Sequence, residues 1–377
     1  MDYRKVIVCR LCDSPNLSTV LDIGETPLAN ELDGTELFPL VVMRCGDCEH
    51  HQLSIAVNPE RLWGPKYPYQ SGTSPVFRAH LEKLADEVAA LKPGGSYLEI
   101  ASNDGTLVRM LDSRTTGAVL GIDPSGPEDA LCTQESWPIR KPQSVIPGAF
   151  DVILALNVFA HVDDLHSFTA AVKEALAPDG VFIVEVGYLP DVIERGLFDV
   201  VYHEHFSYHT VAPLRRFFAR HDLVISRCLR IDSQGGSVRL YVEHAGKEYV
   251  DEPRDEERDI SKLRERITLT RAGLSIALEG MTSIAGYGCP AKLTTLSYAC
   301  KIPDLVCVFD DNPLKVGHKT PGSGWPIVPT SELLERNPDA LILFSWNFAS
   351  EIIPRLRAMG YKGRIVTPLP DVEVDEC

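Results

Sequence analysis

The sequence predicts an α/β chain made of a small N-terminal domain and two doubly wound domains, the second smaller than the first. Three observations predict it. Two Cys-x-x-Cys pairs stand close to the N-terminus, short apolar strands alternate with helices from about residue 76, and the alternation resumes after a charged stretch.

The elements follow in order. Residues 1–75, with their cysteine pairs and prolines, read as a strand-poor domain. Residues 76–245 give a helix over Val76–Leu91, strands at Tyr97–Ala101, Ala118–Ile122 and Asp151–Leu156, a helix over Asp164–Leu176 and a strand at Val181–Val186. Residues 246–377 open on a charged stretch, Glu248 to Ile267, read as a solvated linker helix ending near Gly280. Strands at Ser283–Ala285, Val306–Phe309, Ala340–Phe344 and Arg364–Thr367 then form the second α/β domain.

The bulk numbers exclude several classes. A chain of 377 residues suits roughly two to three domains. A formal charge of −16 and a pI near 5.1 argue against nucleic acid as a partner, which wants a basic face. No run approaches the ~20 apolar residues of a membrane span, and no signal-peptide pattern opens the chain. A cytoplasmic location is expected, where the 10 cysteines stay reduced unless a metal holds them.

Cys9-Arg10-Leu11-Cys12 and Cys45-Gly46-Asp47-Cys48 form two knuckles separated by one long loop. Four thiolates at this spacing close a tetrahedron on Zn2+ and leave no open position, so the metal is read as structural.

The stretch Leu98 to Gly105 lies where the first central strand meets its helix. Read as the turn of an S-adenosylmethionine site, it offers small residues at Ala101, Ser102 and Gly105 for close approach. Glu99 and Asp104 would receive the amino group, with Asn103 in the same turn. Asp123 ends the second strand, where one carboxylate suits two ribose hydroxyls. Asn157 begins the turn after the next strand. An ordinary strand–turn–helix with a capping Asp is the alternative.

Tyr202-His203-Glu204-His205 opens the densest polar constellation in the chain. It lacks the His-Glu-x-x-His spacing of a zinc protease. A general acid–base role fits better, since His titrates near neutral pH and a neighbouring Glu can hold it. His161 follows a sheet strand and is read as facing the same site.

In the C-terminal domain, Gly286-Tyr287-Gly288-Cys289-Pro290-Ala291 follows a strand and opens a helix, with Asp310 and Asp311 about 20 residues on. Lys292 in the first helical turn favours a nucleotide-diphosphate reading over a dinucleotide cofactor. Tyr287, Arg239 and Lys315 are further candidate substrate contacts. A domain kept only for packing is the alternative.

These residues together resemble the sugar C-methyltransferases of antibiotic deoxysugar biosynthesis, which act at C-3 of dTDP-4-keto-deoxysugars. The resemblance covers nearly the whole chain. It rests on the paired cysteine clip, Tyr67-Pro68-Tyr69-Gln70-Ser71, Glu99 to Gly105, Asn157 to His161, Tyr202 to His205 and Gly235-Gly236-Ser237-Val238-Arg239. At the C-terminal end it takes in Gly286-Tyr287-Gly288, Lys292, Pro321-Gly322 and Trp346-Asn347.

The resemblance implies a small zinc-binding domain, a Rossmann-like S-adenosylmethionine domain and a second, smaller Rossmann-like domain. It implies His205 as the base, with Tyr202, Glu204, His161 and Tyr67 or Tyr69 lining the sugar pocket. The partner would be a nucleotide-linked keto-sugar. Oligomeric state stays open, and a monomer is compatible with the sequence.

Two departures stand out. The segment between Ser125 and Asp151 is short, with a helix expected only at Pro127–Leu131 and Pro142 to Gly148 replacing a helix. Gln234 stands where the family suggests a histidine. They leave a keto-sugar isomerase or epimerase with weakened cofactor use, or a non-catalytic scaffold, as alternatives.

Overall fold

The computed structural model describes residues 2–63, 70–137, 147–246 and 259–377. The N-terminal region is strand-rich, contrary to expectation. It comprises β1 (Tyr3–Lys5), β2 (Leu17–Thr26), β3 (Phe38–Cys45), β4 (His51–Leu53), β5 (Ile55–Val57) and the short α1 (Pro59–Leu62). Strands β2, β3 and β4 run antiparallel in one sheet, and β1 pairs with β5. The signal was present in β3, where Phe38, Leu40 and Val42 alternate with more exposed residues. That period of two marks a half-buried strand, but the cysteines and prolines around it hide the pattern.

The central region begins with α2 (Pro75–Leu91). Ser74 caps it by accepting from Phe77 N–H, with proline in the first helical turn. Then come β6 (Tyr97–Ile100), α3 (Thr106–Asp112), β7 (Val119–Ile122), β8 (Cys132–Thr133), β9 (Phe150–Leu156), α4 (Leu165–Ala175) and β10 (Leu176–Gly187). After these the chain makes α5 (Leu189–Glu194), β11 (Ser207–Tyr208), α6 (Val211–Ala219), β12 (Leu223–Ile231) and β13 (Ser237–His244).

The central sheet has the order β12-β13-β10-β9-β6-β7-β8. The pairs among β10, β9, β6, β7 and β8 are parallel, and β13 lies antiparallel between β10 and β12. Strand order reverses between β6 and β9, so the turns that follow them border the ligand crevice of a doubly wound sheet. The helix expected at Pro127–Leu131 is absent. Instead the Asp129 carboxylate accepts from the N–H groups of Leu131 and Cys132, turning the chain directly into β8. Residues 138–146 of the shortened segment lie outside the described residues, as does the start of the charged stretch to residue 258.

One strand leaves its own domain. Ser207 and Tyr208 of β11 pair with Gln52 and His51 of β4, so the segment carrying the Tyr202–His205 cluster ends in the N-terminal sheet.

The C-terminal region comprises α7 (Lys262–Ala277), β14 (Ile284–Tyr287), α8 (Lys292–Cys300), β15 (Val308–Phe309), β16 (Ile327–Val328), α9 (Leu333–Arg336) and β17 (Ala340–Leu343). It closes with α10 (Ala349–Met359), β18 (Arg364–Thr367) and β19 (Glu373–Asp375). The sheet order is β16-β15-β14-β17-β18-β19, parallel except for the edge strand β19. One apolar cluster joins this domain to the N-terminal sheet: Leu28, Phe38 and Val42 share it with Phe198, Phe206, Leu293 and Leu296.

Arg239 lies inside the central domain. Paired across β13 and β10 with Glu185, its guanidinium bonds that buried carboxylate and Glu87 (2.6 Å), while His80 bonds the other Glu185 oxygen at 2.8 Å. Removing one member of a buried pair strands a charge and costs about 3–5 kcal/mol. Arg239→Ala is expected to lower the urea-unfolding free energy by about that amount, a loss read from equilibrium melts.

Candidate active site

The cysteine clip forms as the spacing predicts. The sulfurs of Cys9, Cys12, Cys45 and Cys48 lie within 4.8 Å of one another. Each knuckle closes in the same way: Asp13 and Glu49 take left-handed backbone and donate N–H to the carbonyls of Cys9 and Cys45. A tetrahedral Zn2+ fits four converging sulfurs with no other ligand.

The clip is anchored to its neighbours through three arginines. Arg216 on α6 donates to Cys48 O and Arg220, which caps the C-terminal end of that helix, to Leu11 O, both at 2.7 Å. Arg10, buried between the two cysteines of its knuckle, reaches the carbonyls of Leu53 and Phe206 at 3.2 Å, and its guanidinium covers the Phe206 ring. Phe206 follows His205.

The histidine cluster resolves into residues of different kinds. His205 Nδ1 lies 2.7 Å from Val200 O. A carbonyl only accepts, so Nδ1 carries the proton and Nε2 keeps its lone pair. His161 lies beside it, ring centroids 5.0 Å apart, and Tyr202 stacks against it at 4.1 Å. Trp63 stacks on His161 at 5.8 Å. His161, Tyr202, His205 and Trp63 all keep partial exposure, which a surface for a ligand requires. Glu204 is buried and accepts from Asn30 Nδ2 at 2.6 Å. His203 is buried against Phe38 and Pro39 O and is structural. Tyr67 and Tyr69 lie outside the described residues.

Withdrawal from water makes His205 a neutral base. Burial pushes its pKa down to about 4, opposed by the Val200 hydrogen bond and aided by the Lys292 charge. Burial also lowers His203 and His209 to about 4 and His161 well below its ordinary value, with His205 adding to the last.

The proposed cofactor turn has the geometry of a built site. Ala101, Asn103 and Asn157 hold positive φ angles of 57°, 50° and 56°, uncommon for residues other than glycine and concentrated at functional turns. The Asp123 carboxylate accepts from Asn103 N–H (3.0 Å) and from Ser125 N–H (2.8 Å), tying the turns after β6 and β7 together. Asn103 Oδ1 and Asp104 Oδ2 accept from the N–H groups of Ser71 and Gly72, which fold over the turn. Gly105 is left-handed, and Ser102 is buried.

Beneath this turn lies a small cavity lined by Ser71, Phe77, Leu81, Glu99, Ala101, Ser102, Leu107 and Leu156. Glu99 is buried there and its Oε2 finds no hydrogen-bond partner among the described residues. Burial, then Asp104 and Asp123, hold its carboxyl well above the usual carboxylate range. An orphaned carboxyl among two other acids suits the cationic amino group of a bound amino-acid moiety, so the residues fit S-adenosylmethionine.

The remaining candidates are not gathered at the histidines. Tyr287 OH bonds Thr330 and Arg355, and Lys315 Nζ donates to Cys289 O. Asp310 accepts from Cys289 N–H, so the glycine turn of the C-terminal domain is closed by its own acid. Lys292 is different: its ammonium lies 4.6 Å from the centre of the Trp346 ring and acts on both Asp199 and His205.

Asn30, Trp63, Asp199 and Arg10 are residues that sequence reasoning missed. Only Arg10 had a signal, since an arginine inside a metal knuckle is an odd choice for exposed backbone.

The fold and site define an S-adenosylmethionine-dependent methyltransferase with a zinc-binding N-terminal domain. The comparisons agree. A zinc binding domain model matches residues 9–63, a methyltransferase domain model residues 73–226, and a C-methyltransferase C-terminal domain model residues 232–370. C-methyltransferase NovU of Streptomyces niveus is 30% identical over 98% of this chain and 97% of its own. The chain belongs to this C-methyltransferase family and is an S-adenosylmethionine-dependent C-methyltransferase.

Among solved structures, the PH0226 protein of Pyrococcus horikoshii OT3 is 17% identical, covering 47% of this chain and 94% of its own with a TM-score of 0.36. Geranyl diphosphate methyltransferase in complex with SAM is 13% identical, covering 45% of this chain and 85% of its own with a TM-score of 0.36. Among the described residues no helix is long and apolar enough to cross a membrane.

Two outcomes are expected. Metal analysis should find one zinc per chain, and Cys45→Ser should lose it together with a large fraction of the melting temperature's margin, because binding to such sites is worth on the order of 10 kcal/mol. Second, stability should fall with acid. His161, His203, His205 and His209 bind protons in the unfolded chain below about pH 6.5 but resist them when folded. Stability is therefore full above that pH and declines as pH falls from 6.5 towards 4, which urea melts at stepped pH would show.

Proposed function

We propose that the chain methylates the carbon next to the ketone, C-3, of a dTDP-linked 4-keto-deoxysugar. The observation that carries this reading is the His205 arrangement: Nδ1 donated to Val200 O, Nε2 left with its lone pair, and His161 and Tyr202 alongside. A hydrogen beside a ketone is acidic enough for such a base if the enolate is stabilised.

In this reading His205 Nε2 takes the proton from C-3 and the C–H electron pair moves onto the ketone oxygen. Tyr202 and His161 would donate to that oxyanion, and buried Glu204, held by Asn30, would line the sugar pocket. Glu99 would receive the amino group of S-adenosylmethionine, Asp123 would face its ribose, and the small residues Ala101 to Gly105 with Asn157 would let it approach. When bound, S-adenosylmethionine would supply an electrophilic methyl on a sulfonium, the S–CH3 bond breaking as C-3 of the enolate takes the methyl and S-adenosylhomocysteine leaves. The aromatic wall Trp63 excludes water from the imidazole pair.

The division into domains at 1–75, 76–245 and 246–377 belongs to the same proposal, with the sugar held where the three meet. Incubation with S-adenosylmethionine and a panel of dTDP-4-keto-deoxysugars is expected to give a product heavier by one methyl group, read by mass spectrometry. His205→Gln should lower turnover by about 100- to 10,000-fold while leaving cofactor binding by calorimetry intact. Solvent deuterium entering the sugar with no methyl group added would favour an isomerase instead.

A further inference from the structure

The C-terminal domain grips the backbone from which His205 hangs. A 3-10 turn spans Phe198–Val200; Val200 O receives His205 Nδ1–H, and Val201 O receives the Thr295 hydroxyl of α8 at 2.5 Å. Beside it, the fully buried Asp199 accepts from Trp346 Nε1 at 2.6 Å, while its other oxygen has no hydrogen-bond partner among the described residues. Lys292, in the first turn of α8, lies over the same Trp346 ring at 4.6 Å and keeps partial exposure.

The sequence had suggested that Lys292 binds a phosphate beside the glycine turn. In the structure its ammonium lies over the Trp346 ring. Its field reaches Asp199, where it opposes the cost of burial, and His205, where it makes the imidazole a weaker base. A cation that only weakened the base would work against catalysis. The same charge is useful if the electron pair leaving the C–H bond arrives on an oxygen close to it, since an oxyanion in a water-poor site gains much from a fixed cation.

We propose that Lys292 is a catalytic residue of the enolisation step, supplied by the C-terminal domain, whose ammonium contacts the ketone oxygen of the substrate as it becomes the enolate. The proposal rests on the keto-sugar reading above. In the step, the proton passes from carbon to His205 Nε2 and its electron pair to the ketone oxygen, so that His205 and Lys292 flank the two ends of one C–C–O unit. The Trp346 ring orients the ammonium, and buried Asp199 holds the indole.

The test is solvent-deuterium exchange into a dTDP-4-keto-deoxysugar at saturating substrate with S-adenosylhomocysteine present, followed by methyl transfer with S-adenosylmethionine. The full-length wild type is measured first; if it neither exchanges nor methylates any sugar of the panel, the keto-sugar reading itself fails and this proposal with it. With an active wild type, Lys292→Met is expected to slow exchange about 100-fold or more, with KM for the sugar changed only a few-fold. Lys292→Gln gives the same reading if the methionine variant does not fold.

Wild-type exchange at saturation with a raised KM would overturn the proposal in favour of a phosphate contact. The double variant Asp199→Asn/Lys292→Met decides the remaining case. It should stay slow, and recovery to the wild-type rate would overturn the proposal by showing that Lys292 only neutralises Asp199.

Discussion

The structure depends on the coupling between the metal clip and the backbone of the histidine turn. Arg10 sits inside the first knuckle, so its position is fixed once the sulfurs converge. Its guanidinium then holds Phe206 O, one residue from His205, and Leu53 O at the end of β4. An arginine this deeply buried is costly unless its donors are met; Asp163 meets Nε at 3.1 Å and the two carbonyls meet Nη1, while Nη2 is buried with no hydrogen-bond partner among the described residues. A zinc held by the four sulfurs would thus act at a distance. It would fix a cation, and the cation fixes a carbonyl.

The same turn is held from two further sides. The N-terminal sheet takes in β11 as an added strand, and α8 bonds Val201 O. The loop after β2 reaches across both neighbours: Asn30 bonds Glu204, Asp33 bonds His318 and the Lys319 N–H, and Gly322 N–H bonds Gly34 O. An imidazole that is to act on a substrate, as proposed for His205, has to be held within fractions of an ångström of its target, and a lone loop seldom does this. Here three domains share the task.

Much of this was legible in the residues, for identifiable reasons. The central and C-terminal strands are short, apolar and buried on both faces, which is the pattern of parallel sheets, and they fall close to the expected positions. The cysteine clip was legible because metal spacing is local. The N-terminal strands were not, because their alternation is broken by register shifts in β2 and by prolines. Arg239 read as a phosphate partner because a sequence cannot say which way a strand faces; in the sheet it points at Glu185. Asp199 and Asn30 were invisible for a different reason: each matters only through a partner more than 140 residues away.

The pairing of β11 with β4 has a consequence for the order of assembly. On the ribosome the N-terminal sheet emerges first and offers an open edge for well over a hundred residues of further synthesis. When β11 arrives it finds a waiting template, and α8 closes the other side about 80 residues later. A nascent chain therefore carries its histidine cluster well before the helix that clamps the neighbouring backbone has been made.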